Sequence, residues 1–185
     1  MGEDKLFLRF GKTTLLDHVL VTAKEVCETV TLVGNKEKLR PYGWVVEDVF
    51  PGQGPLAGIH AGLMSPAAAE WNLFLAVDTP AIDAKFLDFL ITSAKESAKM
   101  VTVPRVDGRL HPLCAVYRPE FAPLAERALK ARENKIAALF APEKTRIIEE
   151  AEIRAAGFEF AMFDNVNTPE DWLKMQRQLG ASSWQ

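Results

Sequence analysis

The chain has 185 residues, 48% of them hydrophobic and 25% charged, with a mean hydropathy of −0.03, which suits one domain with a core large enough to stand without staples. A formal net charge of −3 and a pI of about 5.7 exclude the basic footprint that neutralises many phosphates of a duplex, so no nucleic acid partner is expected. No apolar run reaches bilayer length, residues Met1–Arg9 lack a signal peptide's apolar region, and Cys27 and Cys114 stand outside any metal-ligand spacing. These features point to a reducing cytoplasm, with the protein neither exported nor membrane-embedded.

In chain order, residues 13–27 predict a helix, because Leu15, Leu16, Val19, Leu20, Ala23 and Val26 recur at helical spacing behind two threonines able to cap the first turn. Residues 29–33 and 44–47 read as strands, the first stopped by Gly34-Asn35 and the second running into Asp48 and a Pro/Gly stretch. Pro55 suits the first position of a helix over 55–64, where its missing N–H would be unpaired anyway. The apolar run 71–77 (WNLFLAV), halted by Asp78-Thr79-Pro80, has the pattern of a central parallel strand buried on both faces. Beyond it the spacing predicts a helix at 83–97, strands at 100–104 and 112–117, helices at 119–131 and 133–141, a strand at 158–163 and a C-terminal helix from Thr168. This alternation implies an α/β fold, a mostly parallel sheet with helices on both faces and room for antiparallel strands in the second half. In such sheets ligands bind beyond the carboxyl ends of the strands.

Several segments there carry side chains suited to chemistry. Lys5, after Gly2 and two acids, reads as part of a charged terminus or as an ammonium held over phosphates. The stretch Pro51-Gly52-Gln53-Gly54-Pro55-Leu56-Ala57-Gly58 is a rigid turn entering a helix, and its glycines would let a base or phosphate approach the backbone. It is neither a P-loop nor a GxGxxG fingerprint. Asp78, first polar residue after its strand, is placed to anchor a hard cation such as Mg²⁺ that bridges to substrate phosphates, or simply to cap the next turn. Asp48 is placed to accept hydrogen bonds from a base or ribose, or to open a turn before Pro51. Thr168-Pro169-Glu170-Asp171 is a helix start, which leaves Asn165 and Asn167 unexplained, and His111 stands at a strand entrance. His18 and His60 carry no stronger case, and Lys36–Arg40 and Glu149–Glu152 read as solvated faces.

Taken in order, MGEDK, VEDVFPGQGPLAG, LFLAVDTP, RLHPLCAV and NVNTPED closely resemble the molybdenum cofactor guanylyltransferase family over nearly the whole chain. The resemblance implies a three-layer Rossmann-like nucleotidyltransferase fold across 1–185. It also implies binding of GTP with Mg²⁺ and transfer of GMP to molybdopterin with release of pyrophosphate. Matched motif by motif, it makes Lys5 a phosphate contact, Asp48 a nucleotide contact and Asp78 the Mg²⁺ ligand. Gly54 to Gly58 would line the guanine side, Asn35 would be a nucleotide contact displaced two positions from the family pattern, and His111, Asn165 and Asn167 would face the pterin. Partners implied are GTP, molybdopterin, other cofactor-biosynthesis proteins and acceptor molybdoenzymes.

The family pattern begins with an apolar strand and a glycine-rich loop ending Arg-Met-Gly, which these 185 residues, opening at Met1-Gly2, do not contain. An exposed strand edge is the expected consequence. A cytidylyltransferase of the same superfamily, or an inactive nucleotide- or partner-binding module, are the competing readings.

Overall fold

The computed structural model describes residues 5–7, 9–10, 13–166, 168, 170–171, 173 and 175. A 3₁₀ turn (Lys5–Phe7) and a small antiparallel hairpin, β1 (Arg9–Phe10) with β2 (Thr13–Thr14), lead into α1 (Leu15–Val26). That helix starts where the threonines predict. The Asp17 amide donates to Thr14 Oγ1 at 3.1 Å while the Thr14 amide donates to the Asp17 carboxylate at 2.9 Å, a reciprocal cap. Leu15, Leu16, Val19 and Leu20 form its buried stripe.

The strands β3 (Thr31–Val33) and β4 (Trp44–Val46) pair in parallel from Thr31 opposite Trp44 to Val33 opposite Val46, joined through the short α2 (Lys36–Leu39). Pro55 opens α3 (Pro55–Leu63) as expected, and Asp83 caps α4 (Ala84–Ser97) by accepting from the Lys85 amide. A larger sheet follows from β5 (Asn72–Leu75), β6 (Val101–Val106), the two-residue β7 (Arg109–Leu110), β8 (Cys114–Tyr117) and β9 (Thr145–Ile148) in the order β5-β8-β6, with β9 and β7 also paired to β6. Because β8 is antiparallel to both β5 and β6 while β9 is parallel to β6, strands β5, β6 and β9 share one direction. The α/β fold with a mostly codirectional sheet is therefore present, with β8 and the β7 arm reversed.

Alternation along β8 sorts the core into two layers. Ala115 and Tyr117 pack with α3 and α5 (Ala122–Lys130) around Leu56, Phe121 and Leu129; Cys114 and Val116 pack on the opposite face with α4 and α6 (Glu150–Ala155) around Phe86, Leu90 and Ile153. Each fully buried side chain of this kind stabilises the fold by roughly 1.5–3 kcal/mol.

Three expectations need correction. The WNLFLAV run is not a central parallel strand: β5 pairs only with antiparallel β8 among the described residues, and all four of its residues are half-buried. The chain returns through the β7 arm and inserts β8 between β5 and β6, which leaves β5 at an edge. Residues 133–141 form a single 3₁₀ turn, Ile136–Leu139, since only Ile136 there is buried and Pro142 follows. Residues 158–163 are not a strand but end in a 3₁₀ turn, Phe160–Phe163, whose consecutive Met162 and Phe163 both pack into the same core layer, where period-two alternation would send them to opposite faces. Among the described residues the last strand is β9, and α6 follows it from the partly solvent-exposed acids of Glu149–Glu152. There Glu152 pairs with Arg146 and Glu149 with Arg105 at 2.9 Å. The helix from Thr168 is supported at its start, where the Asp171 amide donates to Thr168 Oγ1 and the Thr168 amide to the Asp171 carboxylate. No helix among the described residues is long and apolar enough to cross a membrane.

Candidate functional site

Between the β3/β4 pair and β5 lies a cleft of about 810 Å³. Its walls are the facing edges of β3 and β5, and neither edge has a strand partner among the described residues. Asp48, two residues past β4, lines this cleft together with Gly54, Pro55 and Gly58 of the α3 entrance. The Asp48 Oδ1 atom is shielded from solvent and has no hydrogen-bond partner among the described residues, and burial pushes the carboxyl above the usual carboxylate range. A buried carboxylate oxygen without a donor is costly unless a ligand supplies one.

The turn before α3 is held open by backbone geometry. Gly54 has φ +74° and ψ −159°, a combination open essentially to glycine, so the chain can swing sharply into Pro55 and point the first turn of α3 toward the cleft. Gln53 precedes it with its Oε1 likewise buried and without a hydrogen-bond partner among the described residues. The sequence reading passed over Gln53, although an amide inside a glycine/proline turn is a signal for a polar ligand contact. It also passed over Gly62, where a Cβ would come within 2.8 Å of the Phe74 ring; that absent side chain lets α3 lie close against β5.

At the far end of β5 the chain runs through Val77, which lines the cleft, to half-buried Asp78. The turn that carries Asp78 is secured from several sides. The Val166 amide donates to the Asp78 carbonyl at 2.7 Å, Thr79 Oγ1 donates to Ala76 O at 3.2 Å, and the Ile82 amide donates to Thr79 O at 3.3 Å. Val166 is fully buried with Leu15, so this residue is stitched to the turn carrying Asp78, and exposed Asn165 precedes it. The described residues contain no cluster of three or more His, Cys, Asp or Glu side chains able to cage a metal. A single hard carboxylate at a strand end fits Mg²⁺ all the same, because that ion commonly keeps its waters and binds one or two carboxylates plus substrate phosphates.

The remaining predicted residues are less concentrated. His111 is half-buried at the turn into β8, its ring 4.6 Å from the Phe163 ring, and burial lowers its pKa. Asn35 caps α2, its Oδ1 accepting the Lys38 amide at 3.0 Å, and it does not line the cleft. Lys5 begins the first 3₁₀ turn, and Asn167 lies outside the described residues.

A layered α/β sheet with carboxylates past two strand ends, and a proline-led helix start beneath one of them, is the setting in which α/β proteins hold ligands, anionic ones included. Residues 1–147 match the model of the family described as MobA-like NTP transferase domain, and the chain belongs to that family of nucleotidyltransferases. It is 32% identical over 183 residues to a molybdenum cofactor guanylyltransferase of Desulfosudis oleivorans, covering 97% of this chain and 89% of that protein. It is 34% identical over 177 residues to a probable molybdenum cofactor guanylyltransferase of Pelotomaculum thermopropionicum, covering 94% and 84%. Among solved structures, molybdopterin-guanine dinucleotide biosynthesis protein A from Archaeoglobus fulgidus superposes with a TM-score of 0.81 at 23% identity, covering 96% of this chain and 91% of that one. The 4-diphosphocytidyl-2C-methyl-D-erythritol synthase of Anaerococcus prevotii shares the fold with a TM-score of 0.65 at 16% identity, covering 96% and 91%.

Proposed function

We propose that this chain transfers GMP from GTP to molybdopterin. In this reaction an oxygen of the pterin's terminal phosphate attacks the α-phosphorus of GTP, and the bond to the β-phosphate breaks to release pyrophosphate. The observation that carries the reading is the orphaned Asp48 carboxylate oxygen in the cleft, beside the Gly54–Pro55 start of α3. A guanine or ribose donor would satisfy it there, and Gly58 leaves room for the approach. The names of the relatives agree with this choice of nucleotide and acceptor.

Within that reading Asp78 would hold Mg²⁺, and the ion would supply charge neutralisation on the phosphates. Lys5 contacts the phosphates, and Gln53 adds an amide oxygen on the base side. His111 and Asn165 face the pterin, with Asn167 continuing that segment. Such a transfer asks little covalent work of the protein, so positioning and charge stabilisation carry it. The partners follow from the reaction: GTP, the molybdenum cofactor and the proteins that deliver or receive it, in the cytoplasm.

Calorimetric titration with GTP and then CTP, each with Mg²⁺, tests this directly. Selective GTP binding supports the guanylyl assignment, preference for CTP turns it to cytidylyl transfer, and binding of neither leaves a module that does not act on these nucleotides.

A further inference from the structure

The turn carrying Asp78 has one more tether, and it comes from a different layer of the molecule. His18, on α1, reaches across 62 residues of sequence so that its Nε2 lies 2.7 Å from the carbonyl oxygen of Pro80. A carbonyl only accepts, so Nε2 carries the hydrogen and donates. His18 is half-buried, and that burial lowers its pKa. Taking an imidazole out of water is unfavourable unless its polar atoms are used, and here one is used on the loop. Pro80 and Thr79 are themselves buried, so the bond acts on a segment packed into the protein and not on a free surface turn.

We propose that His18 is a positioning residue: through its bond to Pro80 it ties α1 to the 78–80 turn and sets the direction in which the Asp78 carboxylate faces the substrate phosphates. The Val166 amide holds the same turn at Asp78 O, so His18 and Val166 grip it at positions two residues apart. With both in place the backbone that carries the carboxylate cannot shift without breaking a short hydrogen bond. Without His18 the turn keeps the Val166 contact and its own short-range hydrogen bonds but loses its tie to α1. Displacements of about 1 Å at a catalytic carboxylate are enough to cost on the order of a hundredfold in rate. The inference rests on Asp78 being the Mg²⁺ ligand of the proposed reaction.

The test compares His18→Gln with His18→Asn in the full chain. A glutamine amide places its N–H near the position of Nε2 and can reach Pro80 O, whereas asparagine is too short. Both are neutral and polar, so general polarity is held constant. The Mg²⁺ concentration for half-maximal activity should rise about tenfold in the Asn variant and stay within about twofold of the parent in the Gln variant. GTP binding in EDTA should be the same in all three proteins, which a general loosening of the fold would not allow. Equal Mg²⁺ dependence in both variants, whether normal or weakened, overturns the proposal. If the Asn variant does not fold, His18→Leu takes its place in the same comparison. Asp78→Ala separates the two ideas: if it retains the parent's Mg²⁺ dependence, the metal reading has failed, and if it loses that dependence while His18→Asn does not, only the positioning role has failed.

Discussion

The larger sheet and the β3/β4 pair are built differently. Around β6 and β8 the chain is sealed, with all four residues of β8 and five of the six in β6 buried between helices on both faces. Around β3 and β4 no strand residue is buried, Trp44 is 66% exposed, and the outer edge of β3 opens onto the cleft. The candidate ligand groups Asp48, Gly54 and Gly58 cluster at the open end, while the sealed end contributes His111 only from a turn. One part of the molecule supplies cohesion and the other supplies an opening that leaves a carboxylate unpaired. Binding and stability should therefore respond to different substitutions.

The largest expected effect lies where the two parts meet. Asp78→Ala should reduce Mg²⁺-dependent turnover by about 10²–10³-fold or more while leaving the thermal midpoint close to the parent's, since Asp78 follows a strand end and is not part of the core. Steady-state rates over a Mg²⁺ series, with circular dichroism melts alongside, check both halves of that statement. Unchanged turnover removes Asp78 from the metal role.

A matched pair of truncations tests the contrast in packing. Val116→Ala, at a site 1% exposed, should cost about 2 kcal/mol, and Val46→Ala, half-buried beside the cleft, about 1 kcal/mol or less. Urea denaturation measures both, and equal losses would mean that the open end is packed as firmly as the sealed one.

Asp48→Asn should weaken GTP about tenfold, the scale of a hydrogen bond to a charged group, yet not destabilise the protein at neutral pH. Burial raises the Asp48 carboxyl's pKa in the folded chain, so the folded state takes up this proton more readily than the unfolded state. The resulting stabilisation is fully present below the ordinary carboxylate pKa and is lost as pH rises through the raised folded value. Asparagine removes that dependence, so the variant's melting midpoint should fall less than the parent's between acid and neutral pH. Parallel profiles would show that Asp48 does not titrate as its surroundings imply.

Smallest is Thr14→Ala, which removes a cap from α1 and should cost about 1 kcal/mol without altering nucleotide binding. A change in GTP affinity on this substitution would tie the α1 entrance to the open end more closely than its hydrogen bonds indicate.

Local signals carried a good part of this fold from the residues alone. The stripe of α1 behind Thr14, the Pro55 start of α3, the short strands β3 and β4 and the acids past β4 and β5 all depend on periodicity, capping or turn chemistry, which act within a few residues. The cleft residues Asp48, Gly54 and Gly58 were legible for the same reason, since each stands where a strand or turn ends. Asn35 was legible only as a polar residue after a strand, and the fold uses its side chain as a cap. Tertiary structure decided the rest. Whether WNLFLAV sat at the centre or the edge turned on where β8 was inserted, and whether FEFAMF became a strand turned on which aromatic faces the core demanded, so neither was decided by local pattern. The same holds for Asp48 Oδ1, whose lack of a partner depends on what the whole fold brings near it, and for His18, an ordinary helix residue in the sequence whose bond to Pro80 exists only because α1 folds back against the end of β5.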